Sequence, residues 1–349
     1  MKEKRHLKPI NNIFVSGLIN VETVLDIDSF PLEYSPVNYA FNRISSSVSG
    51  VGYNISRSLS TLGNKVTLLS FLGNDDRGKF ISSKFKSENS ESNMYKLDTS
   101  LISYSMDETP CSVILNDRDG NRSIYTDLKD IQKLSLKNFD PDKKENIEKK
   151  ISEADLAVLC NMNFSRDLIE NVKKHSISMA TDLHIINSID DEYNREFLEN
   201  AEILFISDAG FGSSAEEWAF RIMDRYPCRI LVIGMGAKGS LLSFRGIETG
   251  DIGEVSNGKI ISEKKDIGTP GGDKVSSYHF RSNIIQKVKN TSGAGDALFS
   301  SFLHFYLKSK NPISSIENAM LFASYKIQHT GSSTGFLTED KFNQIYSDD

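Results

Sequence analysis

The run Gly50-Val-Gly-Tyr-Asn-Ile-Ser-Arg-Ser-Leu-Ser-Thr-Leu-Gly63 is followed by Asn-Lys and then by Val66-Thr-Leu-Leu-Ser-Phe-Leu72. Ile55, Leu59 and Leu62 recur at helical spacing, and Gly63 suits a helix C-cap. Val66 to Leu72 reads as a strand, and so does Ile13 to Ile19 upstream. The pattern repeats outward along the chain. A helix is expected around Gly78 to Phe85, and strands at Leu156–Cys160, Ile177–Thr181, Ile203–Ser207 and Ile230–Ile233. Helical patterns fall between them, including Glu216 to Asp224. Such alternation predicts an α/β fold with a doubly wound, mostly parallel sheet flanked by helices.

Three regions break the rhythm. Ser112–Leu115 and Ser123–Thr126 are strand-like runs around a polar turn, a hairpin signal. Asn20 to Ser47 reads as irregular, with Pro31 and Pro36. These pieces, about 20–47 and 108–127, are expected to form a small β lid on a single domain spanning 1–349. Glu248 to Phe280 is polar and glycine-rich and reads as an extended or mobile connection. The charge-rich stretch Asp142–Lys150 reads as a solvated helix face.

Composition narrows the function. The 349 residues are 38% hydrophobic, enough for a large core, and carry a net charge of −6. No basic stripe with interleaved aromatics is visible, which argues against nucleic acid as the main partner. No apolar run approaches the roughly 20 residues of a membrane span. Met1 to Pro9 is basic but lacks the apolar core of a signal peptide. Cys111, Cys160 and Cys228 are widely spaced and read as reduced thiols of a cytoplasmic protein.

The chemistry gathers in two glycine runs. Asn290-Thr-Ser-Gly-Ala-Gly-Asp296 precedes an apolar helical stretch, where free backbone N–H groups and the helix dipole favour an anion. An aspartate ending that run makes sense if the anion is a phosphoryl group and the carboxylate takes a proton from its attacker. In the other run, Gly50 and Gly52 allow a ligand close to the backbone, and Asn54 offers a donor and an acceptor to a polyhydroxylated ligand. Plain turns and helix caps are the competing account of both. Asp182, Asn161 and Asn163 follow strands where ligand crevices lie in open α/β sheets, although each can equally serve loop backbone. His184 and His279 read as solvated or core-edge side chains. Gly234-Met-Gly-Ala-Lys-Gly239 matches a dinucleotide fingerprint, but strand-like Ser240–Phe244 follows it where a helix is required, so the nicotinamide reading is rejected.

Together the two runs resemble the paired signatures of the ribokinase-like (PfkB) carbohydrate kinases, with local similarity to pseudouridine, nucleoside and sugar kinases. The first signature is Gly50-Val-Gly-x-Asn54 with Gly63 and Gly73, and the second is Thr291-Ser-Gly-Ala-Gly-Asp296. The resemblance implies a ribokinase-like fold and ATP-dependent phosphorylation of a hydroxymethyl group on a sugar or nucleoside. It implies Asp296 as base, with Gly293, Ala294 and Gly295 as the anion hole. Asn20, Glu22, Gly50, Gly52, Asn54 and Asn163 are the expected acceptor residues. Gly234, Gly236, Gly239, Thr291 and Gly331 are the expected nucleotide residues. The cofactors implied are ATP and Mg²⁺, with a monovalent cation near the Gly331 loop, and the lids are expected to pair across a homodimer.

The chain departs from this pattern in places. Asn20-Val-Glu22 stands where Asn-x-Asp is usual, and Asn290 where aspartate often opens the second signature. The Asn-x-x-Glu that organises the magnesium waters is replaced by Ser207-Asp-Ala-Gly210, so no metal ligand is assigned. A non-catalytic sugar- or nucleoside-binding homologue is the alternative that this departure keeps open.

Overall fold

A computed structural model of the protein describes residues 10–91, 97–247, 262–268, 274–282 and 288–346. Its strands are β1 (Asn12–Ser16), β2 (Asn20–Asp26), β3 (Ile44–Ser49), β4 (Lys65–Gly73), β5 (Leu97–Met106), β6 (Cys111–Asn116) and β7 (Arg122–Asp127). They continue as β8 (Leu156–Leu159), β9 (Met179–Ile185), β10 (Ile203–Ser207), β11 (Ile230–Gly234), β12 (Ser240–Arg245), β13 (Ser262–Gly268) and β14 (Lys274–Phe280). The helices are α1 (Val51–Thr61), α2 (Asp76–Glu91), α3 (Pro141–Ser152), α4 (Asn163–Arg166) and α5 (Ile169–Lys174). After them come α6 (Arg195–Asn200), α7 (Ala215–Arg225), α8 (Ala294–Ser309), α9 (Pro312–Lys326) and α10 (Glu339–Tyr346).

A ten-stranded sheet runs β13-β14-β12-β11-β10-β9-β8-β1-β4-β5, and its seven strands from β11 to β5 are parallel. Successive side chains of a strand point to opposite faces. Phe14, Leu69 and Phe71 therefore enter one apolar layer, with α5 and α7, while Val15, Leu68 and Leu72 enter another, with α1 and α8. Both faces being covered, strands such as β8 and β11 are apolar without alternation. The chain runs from β1 to β4 on one side and later to β8 on the other, so the direction of winding reverses at β1. In open α/β sheets ligands bind at such a switch point, beyond the carboxyl ends of the strands.

Four departures from the sequence reading bear on that edge. First, β1 stops at Ser16 rather than Ile19. A side chain at Gly17 would lie 2.6 Å from Cys160 Sγ and 2.9 Å from Gly52 Cα, so only glycine lets the chain turn there. Second, the segment read as irregular supplies β2 and β3, which pair antiparallel, with β2 parallel to β6. Together with the β6–β7 hairpin they make a second sheet of order β3-β2-β6-β7. Serine-rich β3 has weak strand propensity of its own, and pairing overrides it. Third, β5 went unread, and β9 starts two residues later than expected. Fourth, within 248–280 the described pieces are paired strands β13 and β14, not a loose connection. The remainder of that stretch and Met1 to Pro9 lie outside the described residues.

Candidate active site

Gly293 caps the start of helix α8, and its φ of 73° is left-handed. A Cβ there would meet the Ser332 carbonyl oxygen at 2.1 Å, so the position demands glycine twice over. Asn290 Oδ1 accepts the Ser292 N–H at 2.6 Å and so closes the turn before the helix. The Thr291 carbonyl takes the Ala294 N–H at 3.2 Å, which removes Ala294 from the expected anion hole. Gly295 is exposed, with open space on its Cβ side. The first turn of a helix leaves its N–H groups without intrahelical partners, so this end of α8 can meet an anion.

Within the first turn of α8, Asp296 is buried. Asn54 Nδ2 donates to its Oδ2 at 2.7 Å across 242 residues of sequence. Helix packing makes that contact: Ser300 donates to Ser58 Oγ at 2.7 Å and to the Asp296 carbonyl at 2.6 Å. The small side chains let α1 and α8 approach closely. Burial pushes the Asp296 carboxyl up from 3.8 to about 6, against the pull of His184, Asn54 and Lys326. A carboxylate poised there suits a general base near neutral pH.

Asp296 opens on a cavity of about 240 Å³, shared with Asn20, Glu22, Asn54, Arg122 and His184. Asn20 Nδ2 is fixed by Ser112 at 2.7 Å. Ser332 donates to Ser49 Oγ at 2.8 Å, and Ser49 donates to Glu22 Oε2 at 3.1 Å. Burial raises the Glu22 carboxyl, while the serine hydrogen bonds oppose it. Three buried acceptors among these residues have no partner: Asn20 Oδ1, Glu22 Oε1 and Asn54 Oδ1. Leaving a buried polar atom unpaired costs roughly 1–3 kcal/mol, so three in one cavity call for a ligand that donates hydrogen bonds. Leu18, Ile114 and Ile124 supply an apolar wall. A second concavity, about 250 Å³ beside Gly73 and Lys86, shares none of these residues.

Other expected residues serve different ends. Gly50 (φ 104°) lies in the cavity wall, and a Cβ on it would sit 2.5 Å from the Leu18 carbonyl oxygen. Gly52 does not reach the cavity; it packs against Gly17 and donates its N–H to Leu18 O at 3.0 Å. Asn163 is also elsewhere, its side-chain amide donating to the Gln132 carbonyl at 2.7 Å. Gly234, Gly236 and Gly239 form the turn between β11 and β12, where no dinucleotide-binding helix follows. At Gly239 (φ 101°) the backbone of Phe280 leaves no room for a side chain, whereas Gly236 faces open space. Gly331 (φ 85°) presents its carbonyl to Lys326. Asp208 faces Lys238 at 3.5 Å, and no cluster of three metal-ligating side chains exists among the described residues.

Sequence reasoning missed several cavity residues. His184, read as solvated or core-edge, is indeed exposed but also lines the cavity from the carboxyl end of β9, with a φ of 57° and its N–H on Asp182 Oδ1 at 2.8 Å. Arg122 arrives on the β7 hairpin and donates to Ser292 Oγ at 3.3 Å. Neither has a local signature; only an acid two residues before His184 marked that strand end.

Residues 11–339 match the pfkB family carbohydrate kinase description. This chain belongs to the PfkB carbohydrate kinase family. The ribokinase of Dictyostelium discoideum is 22% identical over 338 residues, covering 95% of this chain and 99% of that one. Among solved structures, a microbiome-derived acarbose kinase superposes with a TM-score of 0.73 at 18% identity, covering 97% of this chain and all of its own. Arabidopsis thaliana ribokinase complexed with ribose and ATP gives 0.70 at 17% identity, covering 97% and 99%. The fold is thus ribokinase-like, and the family is one of carbohydrate kinases. Among the described residues no helix is long and apolar enough to cross a membrane.

Proposed function

We propose that this PfkB protein transfers the γ-phosphoryl group of ATP to a hydroxymethyl group of a single-ring sugar of the ribose type, with a nucleoside as the second candidate acceptor. The observation that carries this reading is the set of three unpaired acceptors in the cavity that holds Asp296. Sugar hydroxyls are the donors they lack, and a ring's C–H face matches the apolar wall. The cavity's 240 Å³ falls below the roughly 300–1,000 Å³ typical of drug-sized ligands, which favours one ring over an oligosaccharide.

In the proposed reaction Asn20, Glu22 and Asn54 hold acceptor hydroxyls and turn the hydroxymethyl oxygen toward Asp296. Asp296 takes its proton as the oxygen attacks the γ-phosphorus, and ADP leaves with the electrons of the broken P–O bond. The N–H groups of Gly293 and Gly295 face the charge on the transferring group, where each preorganised donor is worth about 3 kcal/mol. The nucleotide lies along Thr291, Gly331 and the Gly234–Gly239 turn. Mg²⁺ would come with its phosphates and offset their charge. The four-stranded sheet acts as a lid, its hairpin carrying Arg122 over the site so that closure excludes water. Tyr34, Tyr39 and Phe41, between β2 and β3, are exposed and support pairing of two lids in a homodimer.

The test is ATP consumption with magnesium across pentoses, hexoses and nucleosides, pseudouridine included. One strong acceptor, with ribose-type sugars leading, is expected. ATP binding with no acceptor in the panel would favour the non-catalytic binder, which the replaced Asn-x-x-Glu motivates. Sedimentation at graded concentration tests the dimer, and a monomer at high concentration would remove it.

A further inference from the structure

Lys326 ends α9 with no exposed surface, yet it is a lysine. Taking an ammonium out of water is costly, and an apolar residue of similar length would pack there without that cost. Its Nζ donates to the carbonyl oxygens of Ser292 and Gly331, the latter at 2.9 Å. Asp296 and Glu22 act on it only through space, as does Arg122 with the opposite sign. The carboxyl end of α9 adds a favourable dipole.

The two carbonyls belong to the loops that press together at Gly293, where the Ser332 oxygen occupies the space of a side chain. Ser292 immediately precedes Gly293. Ser332 follows Gly331 and starts the hydroxyl chain through Ser49 to Glu22. We propose that Lys326 is a positioning residue, a built-in cation that clamps the Ser292 and Gly331 loops and so aims the first turn of α8 at its anion. A small monovalent ion approaching these carbonyls meets oxygens already taken. Burial lowers the Lys326 ammonium to about 8, opposed by Asp296 and Glu22, so the ammonium is the prevailing form at neutral pH.

This inference rests on the kinase reading, and its test separates the two. The parent, Lys326→Met and Lys326→Ala are compared for kcat and KM, for thermal unfolding, and for hydrogen exchange of the peptide covering Asn290 to Asp296. Lys326→Met keeps length and loses charge; its kcat is expected to fall at least tenfold with KM for the acceptor changed less, and its loop amides to exchange faster. Lys326→Ala leaves a space, and methylammonium chloride is expected to restore its kcat and loop protection but to leave Lys326→Met unaffected. Parent turnover is expected to be equal in potassium and tetramethylammonium salts. A Lys326→Met protein with kcat and loop exchange within twofold of the parent overturns the proposal. So does a folded Lys326→Ala protein indifferent to methylammonium, which would make the lysine a packing element alone. Should the parent turn over no acceptor, the kinase reading fails, and loop exchange still decides the clamp.

Discussion

Helix α8 carries the buried carboxylate of Asp296 in its first turn, and toward its other end a histidine and a lysine that grip a second carboxylate, Glu339. At the far end opposite charges meet directly. Lys308 Nζ meets the Glu339 carboxylate, His304 Nε2 lies 3.7 Å from Oε2, and His304 Nδ1 sits beside the Asn64 side chain. Contact with His304, then Lys308, brings Glu339 down to about 2. At the near end burial dominates and Asp296 rises to about 6. One helix thus holds an acid lowered by its partners and an acid raised by its burial. Carboxyls raised by burial in a cleft are candidates for proton transfer, whereas ion-paired carboxyls commonly serve structure.

Removing the near acid gives the largest expected effect. Asp296→Asn should lose roughly 100- to 10,000-fold in kcat while ATP affinity stays within threefold, read by a coupled assay and calorimetry. The same variant should be more stable at pH 7. The displacement from 3.8 to about 6 opposes folding, on the order of 3 kcal/mol once pH exceeds both values. A variant both active and no more stable would remove the contrast between the two ends.

Asn54→Ala comes next. It deletes one orphaned acceptor and the hydrogen bond that favours the charged form of Asp296. Acceptor Kd should weaken by about 10- to 100-fold, from roughly 1–3 kcal/mol. In the parent, kcat/KM should fall as pH drops through about 6, where Asp296 protonates. In Asn54→Ala that limb should move to higher pH, and an unmoved limb would assign it to another group.

Glu339→Gln should leave kcat within twofold and cost about 1–3 kcal/mol of stability at pH 7. Because the folded value lies below the ordinary 4.5, Glu339 contributes fully above 4.5 and loses its contribution as pH falls toward 2. Asp296 acts in the opposite sense, its cost growing as pH rises from 3.8 to 6. Urea midpoints of the two variants measured from pH 3 to 7 should therefore diverge from the parent in opposite directions. Parallel shifts would show that burial, not pairing, governs both acids.

The α8 end of the site was legible in sequence because its geometry is local. Gly293 and Asn290 form their turn within a few residues, and Asp296 follows at fixed helical spacing. The strands β10 and β11 were legible because apolar runs buried on both faces need no partner to be recognised. The second sheet was harder, since β2 and β3 are held by cross-strand pairing rather than propensity, which made them look irregular. Gly52 was misassigned because a glycine needed for packing against Gly17 looks the same in sequence as one needed for a ligand. Asn163 was misassigned in the same way, a polar residue after a strand that opens α4 and bonds Gln132.

By itself, then, the sequence determined the parallel sheet, the glycine-opened helix and the identity of the acid at its start. These depend on backbone preferences and periodicity among near neighbours. Only the tertiary structure decided that Asn54 meets Asp296, that Glu22 stands with one oxygen unpaired, and that Arg122 and Lys326 hold Ser292 from two sides. Burial and hydrogen-bond satisfaction, which set the charge state of each group, are properties of what packs around it from distant parts of the chain.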